Sequence, residues 1–315
     1  MYNLENKYCV AFYNLENFFD TKDDPHALDD DFTPEGLHRW DEARFRNKAN
    51  KIARAIAEIG KGESGKAPVL VGLAEVENRN VIEFLLRTKA LRDLDYGFVH
   101  FDSPDERGID TALLYSRAHF EPLDSRTLPL LVENTNGERD FTRDILQVRG
   151  RLNGEEVQLF VNHWPSRREG GEDTEYKRII AARLILGELE ALEGEGSKCI
   201  LMGDFNDDPS SRSIQTLMAS GRFINPMEQL LSPIGGSASY RGTWSLFDQI
   251  LFSHDFLRGE PGTHGYVKAG IFAPRFLREW KGRYKGLPFR TYAGGKYLGG
   301  YSDHFPVYLI LEKRD

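Results

Sequence analysis

The sequence predicts an α+β fold in which two packed β-sheets carry helices on their outer faces. Three observations lead there. Short apolar segments rich in Val, Ile, Leu and Phe outnumber the helical patterns, as strands buried in sheet interiors do. Several follow one another directly, above all between residues 97 and 162, so the strict alternation of a doubly wound parallel sheet fails. No break in composition marks a linker in the 315 residues, which places a single domain across 1–315 with its core over 8–313.

Taken in chain order, strand-like runs fall at Tyr8 to Tyr13, Pro68 to Ala74, Gly97 to Phe101, Thr111 to Tyr115 and Ile145 to Leu152. Four more follow at Val157 to Asn162, Lys198 to Met202, Phe247 to Phe252 and Val307 to Leu311. Helical stripes lie between some of them. Phe45, Ile52, Ile56 and Ile59 share one that ends at Gly60; Ile180, Leu184 and Leu192 belong to another opened by Thr174; a third, Ser211 to Ser220, stops at Gly221.

Composition narrows the function classes. Hydrophobic residues make up 40% and charged residues 29%, the balance of a globular chain, and no apolar run of about 18 residues is present to span a membrane. The net charge of −8 opposes a surface that clamps polyanions all round, while leaving room for a local basic patch. Cys9 and Cys199 each sit in an apolar strand-like run, which reads as two small buried hydrophobes rather than a disulfide framework. The acidic run over residues 20 to 31, with six Asp and one Lys, reads as a solvated loop. The first residues lack a basic start and a small-residue cleavage site, so the chain as written reads as cytoplasmic. Tyr2-Asn3-Leu4-Glu5-Asn6 recurs as Tyr13-Asn14-Leu15-Glu16-Asn17, and a trimmed, exported start is the alternative.

The informative feature is where polar residues fall relative to the strands. Asn14, Glu75, His163, and Asp204 with Asn206 each follow an apolar run, and sites in α/β proteins gather at such strand ends. Singly, each has a structural explanation: Asp204-Phe205-Asn206-Asp207-Asp208-Pro209 as an Asx turn, His163-Trp164-Pro165 as a packed loop start, Ser302-Asp303-His304 as a cap. Their joint presence in this order outweighs those readings.

With Phe12-Tyr13-Asn14-Leu15-Glu16-Asn17, Gly72-Leu73-Ala74-Glu75-Val76, Val161-Asn162-His163-Trp164-Pro165-Ser166, Gly203-Asp204-Phe205-Asn206, Phe247-Asp248-Gln249-Ile250 and Ser302-Asp303-His304, the chain resembles the endonuclease/exonuclease/phosphatase superfamily of the deoxyribonuclease-I-like fold. It departs from the commonest pattern at Ala74, where a Gln often precedes the metal-binding Glu. The residues after His163 look more like a bacterial subgroup than the DNA-repair branch. The resemblance implies a four-layer α/β/β/α sandwich of two mixed sheets flanked by helices, with the site at one edge. It implies a metal-dependent phosphoesterase, a nuclease, phosphodiesterase or phosphatase, using Mg²⁺, with Mn²⁺ or Ca²⁺ as substitutes.

Under that resemblance Glu75 is the leading metal ligand, with Asn14 and Asp303 beside it, since hard divalent cations take oxygen ligands. Asp204 orients or deprotonates the attacking water and Asn206 holds a phosphoryl oxygen. His304 binds a nonbridging oxygen or works as an acid/base, Asp248 accepts its ring N–H, and His163 faces the same phosphate. Arg143, in Phe141-Thr142-Arg143-Asp144, is a candidate phosphate contact, with Arg107 and Asp110 as weaker neighbours and a structural ion pair as the alternative. No Gly-x-Ser-x-Gly elbow supports a covalent serine mechanism.

Substrate identity stays open at this level. Seven Lys or Arg and one acid lie between Arg275 and Lys296, interleaved with Phe276, Trp280, Tyr284, Phe289 and Tyr292. Such a segment suits a phosphate with a ring attached, or is a long loop packed by its own aromatics. Arg167 and Arg168 add positive charge after His163. The phosphate-ester substrate is a nucleic acid, a nucleotide, or a small or lipid phosphoester, acted on by a monomer. The reading from another class is a catalytically inactive module that keeps the fold to bind a phosphorylated ligand or a partner.

Overall fold

The computed structural model describes residues 4–167, 170–192 and 198–314. In chain order the strands of its two large sheets are β1 (Lys7–Phe18), β2 (Leu70–Val76), β3 (Tyr96–His100), β4 (Asp110–Ser116), β5 (Phe120–Leu128) and β6 (Ile145–Leu152). They continue as β7 (Glu155–His163), β8 (Lys198–Asp204), β9 (Phe223–Ile224), β10 (Asp248–Ser253), β11 (His264–Ile271) and β12 (Val307–Lys313). The helices are α1 (Glu42–Glu58), the single turn α2 (Lys61–Ser64), α3 (Arg79–Leu86), α4 (Glu175–Ala191) and α5 (Arg212–Ala219). None is long and apolar enough to cross a membrane.

One sheet has the order β11-β12-β1-β2-β4-β3 and the other β9-β10-β8-β7-β6-β5. Both are mixed: β1 runs parallel to β2 but antiparallel to β12, and β8 parallel to β7 but antiparallel to β10. The period-2 alternation of strands sorts side chains into layers. From β1, Val10 and Phe12 enter the core between the sheets, where they join Val161, Ile200 and Met202, while Cys9, Ala11 and Tyr13 face outward. That outer face is covered by α1 and α3 through Ile52, Ile56, Val81 and Leu85. On the far side, Ala181, Ile185, Ile214 and Leu217 of α4 and α5 cover Phe160 and Leu201. Helix, sheet, sheet, helix is the four-layer order expected, and both cysteines are buried free thiols within it.

The two sheets approach closely at their centre. A Cβ on Gly72 of β2 would stand 2.6 Å from the Met202 sulfur of β8, so a methyl group there would require the Met202 side chain to shift.

Five elements lie outside the sequence expectation, two of them the short β9 and the single turn α2. β5 and β11 are edge strands whose residues alternate with Glu, Asp, Arg, Lys and Gly, leaving few apolar positions to detect. α3 is only eight residues long, too short for a full stripe, although Asn78 caps it by accepting the N–H groups of Asn80 and Val81. Thr174 stands at the start of α4 as expected, yet its hydroxyl bonds Gly170 and Arg178 rather than capping the helix.

Candidate active site

The strand ends named above meet at one edge of the sandwich. Within the second sheet, register places Asp204 of β8 directly between His163 of β7 and Asp248 of β10. Across the sandwich, Asn14 of β1 donates its side-chain N–H to Asp204 Oδ2 at 2.9 Å and lies 3.4 Å from Glu75 Oε1 of β2. That buried bond ties the two sheets together where their polar ends converge.

Asp204 Oδ2 is the hub. His163 Nε2 lies 3.9 Å from it and 3.8 Å from Glu75 Oε1; His304 Nε2 lies 4.0 Å from it and 3.9 Å from Asp303 Oδ1. The other His304 nitrogen, Nδ1, is 2.7 Å from Asp248 Oδ2, which fixes the ring and directs Nε2 inward. Ser302 braces this loop: its hydroxyl donates to the Asn14 carbonyl at 2.7 Å and accepts the His304 N–H at 3.0 Å.

Backbone geometry sets the remaining side chains. Among the described residues eight non-glycine residues have positive φ, and four of them are Glu16, Asn17, Glu75 and Asn206. The ends of β1, β2 and β8 thus bend through the left-handed region, which aims side chains that an extended strand would send elsewhere. Glu75 Oε2 accepts the Asn17 N–H at 2.7 Å. Asn206 donates its backbone N–H to Asp204 Oδ1 and a side-chain N–H to the Trp164 carbonyl, both at 2.9 Å. The second bond holds the amide while leaving it another donor.

Electrostatics follow from burial. Desolvation, then the charge of Asp248, pushes the Asp204 carboxyl up to about 6. Burial alone would lower His304, but the charge and hydrogen bond of Asp248, with Asp204 and Asp303, hold it well above the usual histidine range. Asp248 thus favours the charged form of His304.

Placement differs from expectation at three residues. Arg143 does not face the cluster: only 5% exposed, it gives Nη1 to Asp105 at 2.8 Å and Nη2 to the Trp164 carbonyl at 3.0 Å. A buried guanidinium needs such partners, and through that carbonyl it acts on the group holding Asn206. Arg167 stacks over Phe247 at 5.6 Å with Asp207 3.9 Å away, beside Asp248 in sequence; Arg168 lies outside the described residues. Asn14 turns its amide oxygen to the Glu16 N–H at 2.9 Å and thus presents donors, not an oxygen, to Glu75 and Asp204.

Sequence reasoning missed a charged network behind the site. Lys48 of α1 is buried and bonds the Glu16 carbonyl and Thr291 Oγ1. Glu16 accepts the Thr291 N–H at 2.6 Å and pairs with Arg290, whose other arm meets Asp303 at 2.8 Å. Burial, then Asp303, pushes the Glu16 carboxyl up to about 7 against Lys48 and Arg290. The signal was Lys48 itself, a charge within the apolar stripe between Phe45 and Ile52.

The donor set suits a hard divalent cation. Glu75, Asp204 and Asp303 bring carboxylate oxygens to one edge, Asp248 Oδ1 is buried without a hydrogen-bond partner among the described residues, and ligand atoms of Asp204, Asp248 and His304 lie within 4.8 Å of one another. A second group, His100, Asp102 and Asp110, meets the same distance limit. There Asp110 Oδ1 takes the Ser103 N–H and hydroxyl at 2.9 and 2.6 Å, and Oδ2 lies 3.1 Å from His100 Nε2.

Comparison with known proteins agrees with the fold. The humanized TDP2 of D. rerio superposes with a TM-score of 0.60 at 15% identity, over 98% of this chain and 100% of that one. The mannosyl-6-phosphatase of Bacteroides thetaiotaomicron gives 0.57 at 17%, over 96% and 99%. The human Nocturnin catalytic domain, with bound sulfate, gives 0.59 at 14%, over 98% and 93%. No curated protein matches by sequence. The family profile that matches residues 9–313 is that of the Endonuclease/Exonuclease/phosphatase family, and with the sandwich and its edge cluster in place, the chain belongs to that family.

Proposed function

We propose that the chain is a divalent-metal-dependent phosphoesterase in which Asp204 activates the attacking water. One observation carries this reading: a buried carboxylate, pushed up to about 6, stands with a single oxygen between two imidazole Nε2 atoms at 3.9 and 4.0 Å. A base near neutrality beside two cationic or polar donors is what in-line water attack on phosphorus requires. Solved structures of similar fold include one named as a phosphatase and a TDP2 complexed with a single-strand DNA product, which supports phosphoester chemistry.

Asp204 accepts a proton as the water oxygen bonds phosphorus. His163 and the His304 imidazolium offset charge on the nonbridging oxygens, with the free donor of Asn206 alongside. The bond from phosphorus to the leaving oxygen breaks, and that oxygen takes a proton from His304 or solvent. Asp248 keeps His304 charged and oriented. Glu75 and Asp303 would hold the cation, with Asn14 orienting Glu75, and when bound it supplies neutralisation of phosphoryl charge.

Hydrolysis of bis-p-nitrophenyl phosphate and a panel of monoesters, with Mg²⁺ or Mn²⁺ and with EDTA, tests the reading. Turnover that needs the cation is expected. Turnover indifferent to EDTA overturns the metal dependence, and none across the panel leaves the inactive binding module instead.

A further inference from the structure

The segment joining β11 to β12 leaves the sandwich as a projecting arm. Phe289 N–H bonds the Leu277 carbonyl and Glu279 N–H the Leu287 carbonyl, each at 2.8 Å, so its two limbs run antiparallel to a tip over residues 280–285. The root is fixed at the candidate site. Arg290 pairs with Asp303, and Arg278 lies 5.7 Å over the ring of Phe305, the residue after His304. Phe276 and Phe289 pack against Tyr301 at 5.7 and 6.3 Å.

The aromatics of the arm divide into two sets. Those at the root are packed, as a loop closed on its own side chains requires. Trp280 and Tyr284 at the tip are not: they stay 63% and 52% exposed. Lys281 lies 4.6 Å over the Trp280 ring and Arg283 5.7 Å from that of Tyr284. From Arg278 to Lys285 four cations stand against Glu279 alone, on a chain of net charge −8. Exposed rings on an arm rooted at the candidate site, under local positive charge, offer stacking faces and phosphate contacts together.

We propose that this arm is a stacking platform for the bases of a single-stranded nucleic acid whose phosphodiester reaches Asp204 and His304, an assignment of substrate class that rests on the phosphoesterase reading above. A bilayer fits less well, because Glu279 to Gly286 contains no aliphatic side chain to enter acyl chains. A duplex fits less well because four cations on an acidic chain neutralise only a few phosphates.

Fluorescence anisotropy of a fluorescein-labelled oligothymidylate, in EDTA so that turnover does not intervene, reads the platform directly. Binding is expected, weakened roughly tenfold or more by Trp280→Ala and again by Tyr284→Ala, the scale of one base–aromatic stack each. The wild-type chain should lose affinity with salt at a log–log slope of about −2 to −3, for three or four phosphates neutralised, a measurement that depends on no variant. Affinity unchanged in both variants, a slope near zero, or capture of phosphatidylserine vesicles in place of the oligonucleotide overturns the platform. Wild-type protein that hydrolyses bis-p-nitrophenyl phosphate yet ignores the oligonucleotide overturns the platform alone. Protein that binds the oligonucleotide but hydrolyses no phosphoester overturns the phosphoesterase reading and leaves the platform standing.

Discussion

Two His–Asp clusters stand in this molecule with the same ligand types and different chemistry. Around Asp110, every carboxylate oxygen is met: Ser103 gives two donors and His100 a third contact. Around His304, Asp248 keeps one buried oxygen without a hydrogen-bond partner among the described residues, and burial, then the charge of Asp248, raises Asp204 to about 6. The first arrangement is satisfied and ties β3 to β4. The second gathers three carboxylates around two imidazoles and leaves an oxygen unmet among the described residues, an arrangement suited to a cation and a phosphate. Residue type and mutual distance alone do not separate them; hydrogen-bond satisfaction does.

Substitution breaks or sharpens that contrast. The largest effect is expected from Asp204→Asn, which should lower turnover of bis-p-nitrophenyl phosphate roughly 10²- to 10⁴-fold with the fold intact. Asp110→Asn should leave turnover near wild type, and an equal loss there would erase the distinction. Next, Glu75→Gln should weaken Mn²⁺ binding by roughly tenfold or more in a calorimetric titration, whereas His100→Gln should not move it. A tighter or unaltered titration in the Glu75 variant removes that residue from the metal set.

Smaller effects concern stability. Asp110→Asn should cost about 1–3 kcal/mol in denaturant unfolding, because Ser103 and His100 lose a buried charged acceptor. Stability should also depend on pH in EDTA. Burial pushes Asp204 to about 6, Glu16 to about 7 and Glu77 to about 8, from 3.8, 4.5 and 4.5. The folded chain therefore binds more protons than the unfolded one between those values. The resulting stability is full below about 4 and disappears as pH rises through 6, 7 and 8. Melting temperature should fall between pH 5 and pH 8 in EDTA, and less so with a divalent cation present; a rise over that range contradicts the burial of these carboxylates.

Most of the sandwich was legible in sequence because its central strands are apolar on both faces, as strands between a helix layer and a second sheet must be. The edge strands β5 and β11 were not, since half of each faces solvent and carries charge. At the site, strand ends marked by Asn14, Glu75, His163 and Asp204 were legible as a set. The part that was not depends on side-chain direction. Arg143 points where Asp105 and Trp164, 38 and 21 residues away, hold it, and no local pattern records such a choice. Lys48 and Arg290 were hidden for the same reason: their partners Glu16, Thr291 and Asp303 meet them only once α1 and the 288–304 segment fold over β1.

The left-handed turns at Glu16, Asn17, Glu75 and Asn206 have a bearing on descent as well as on chemistry. Asparagine adopts that conformation at little cost, but glutamate does so against about 1–3 kcal/mol of strain. A carboxylate at position 75, where glycine would relax the backbone, fits the metal-binding role proposed for it. A lineage released from catalysis would be free to make that exchange and gain stability by it. Glycine at 75, beside an otherwise intact sandwich, would therefore be a readable mark of retired chemistry, and would tell active descendants of this chain from inert ones before any assay is run.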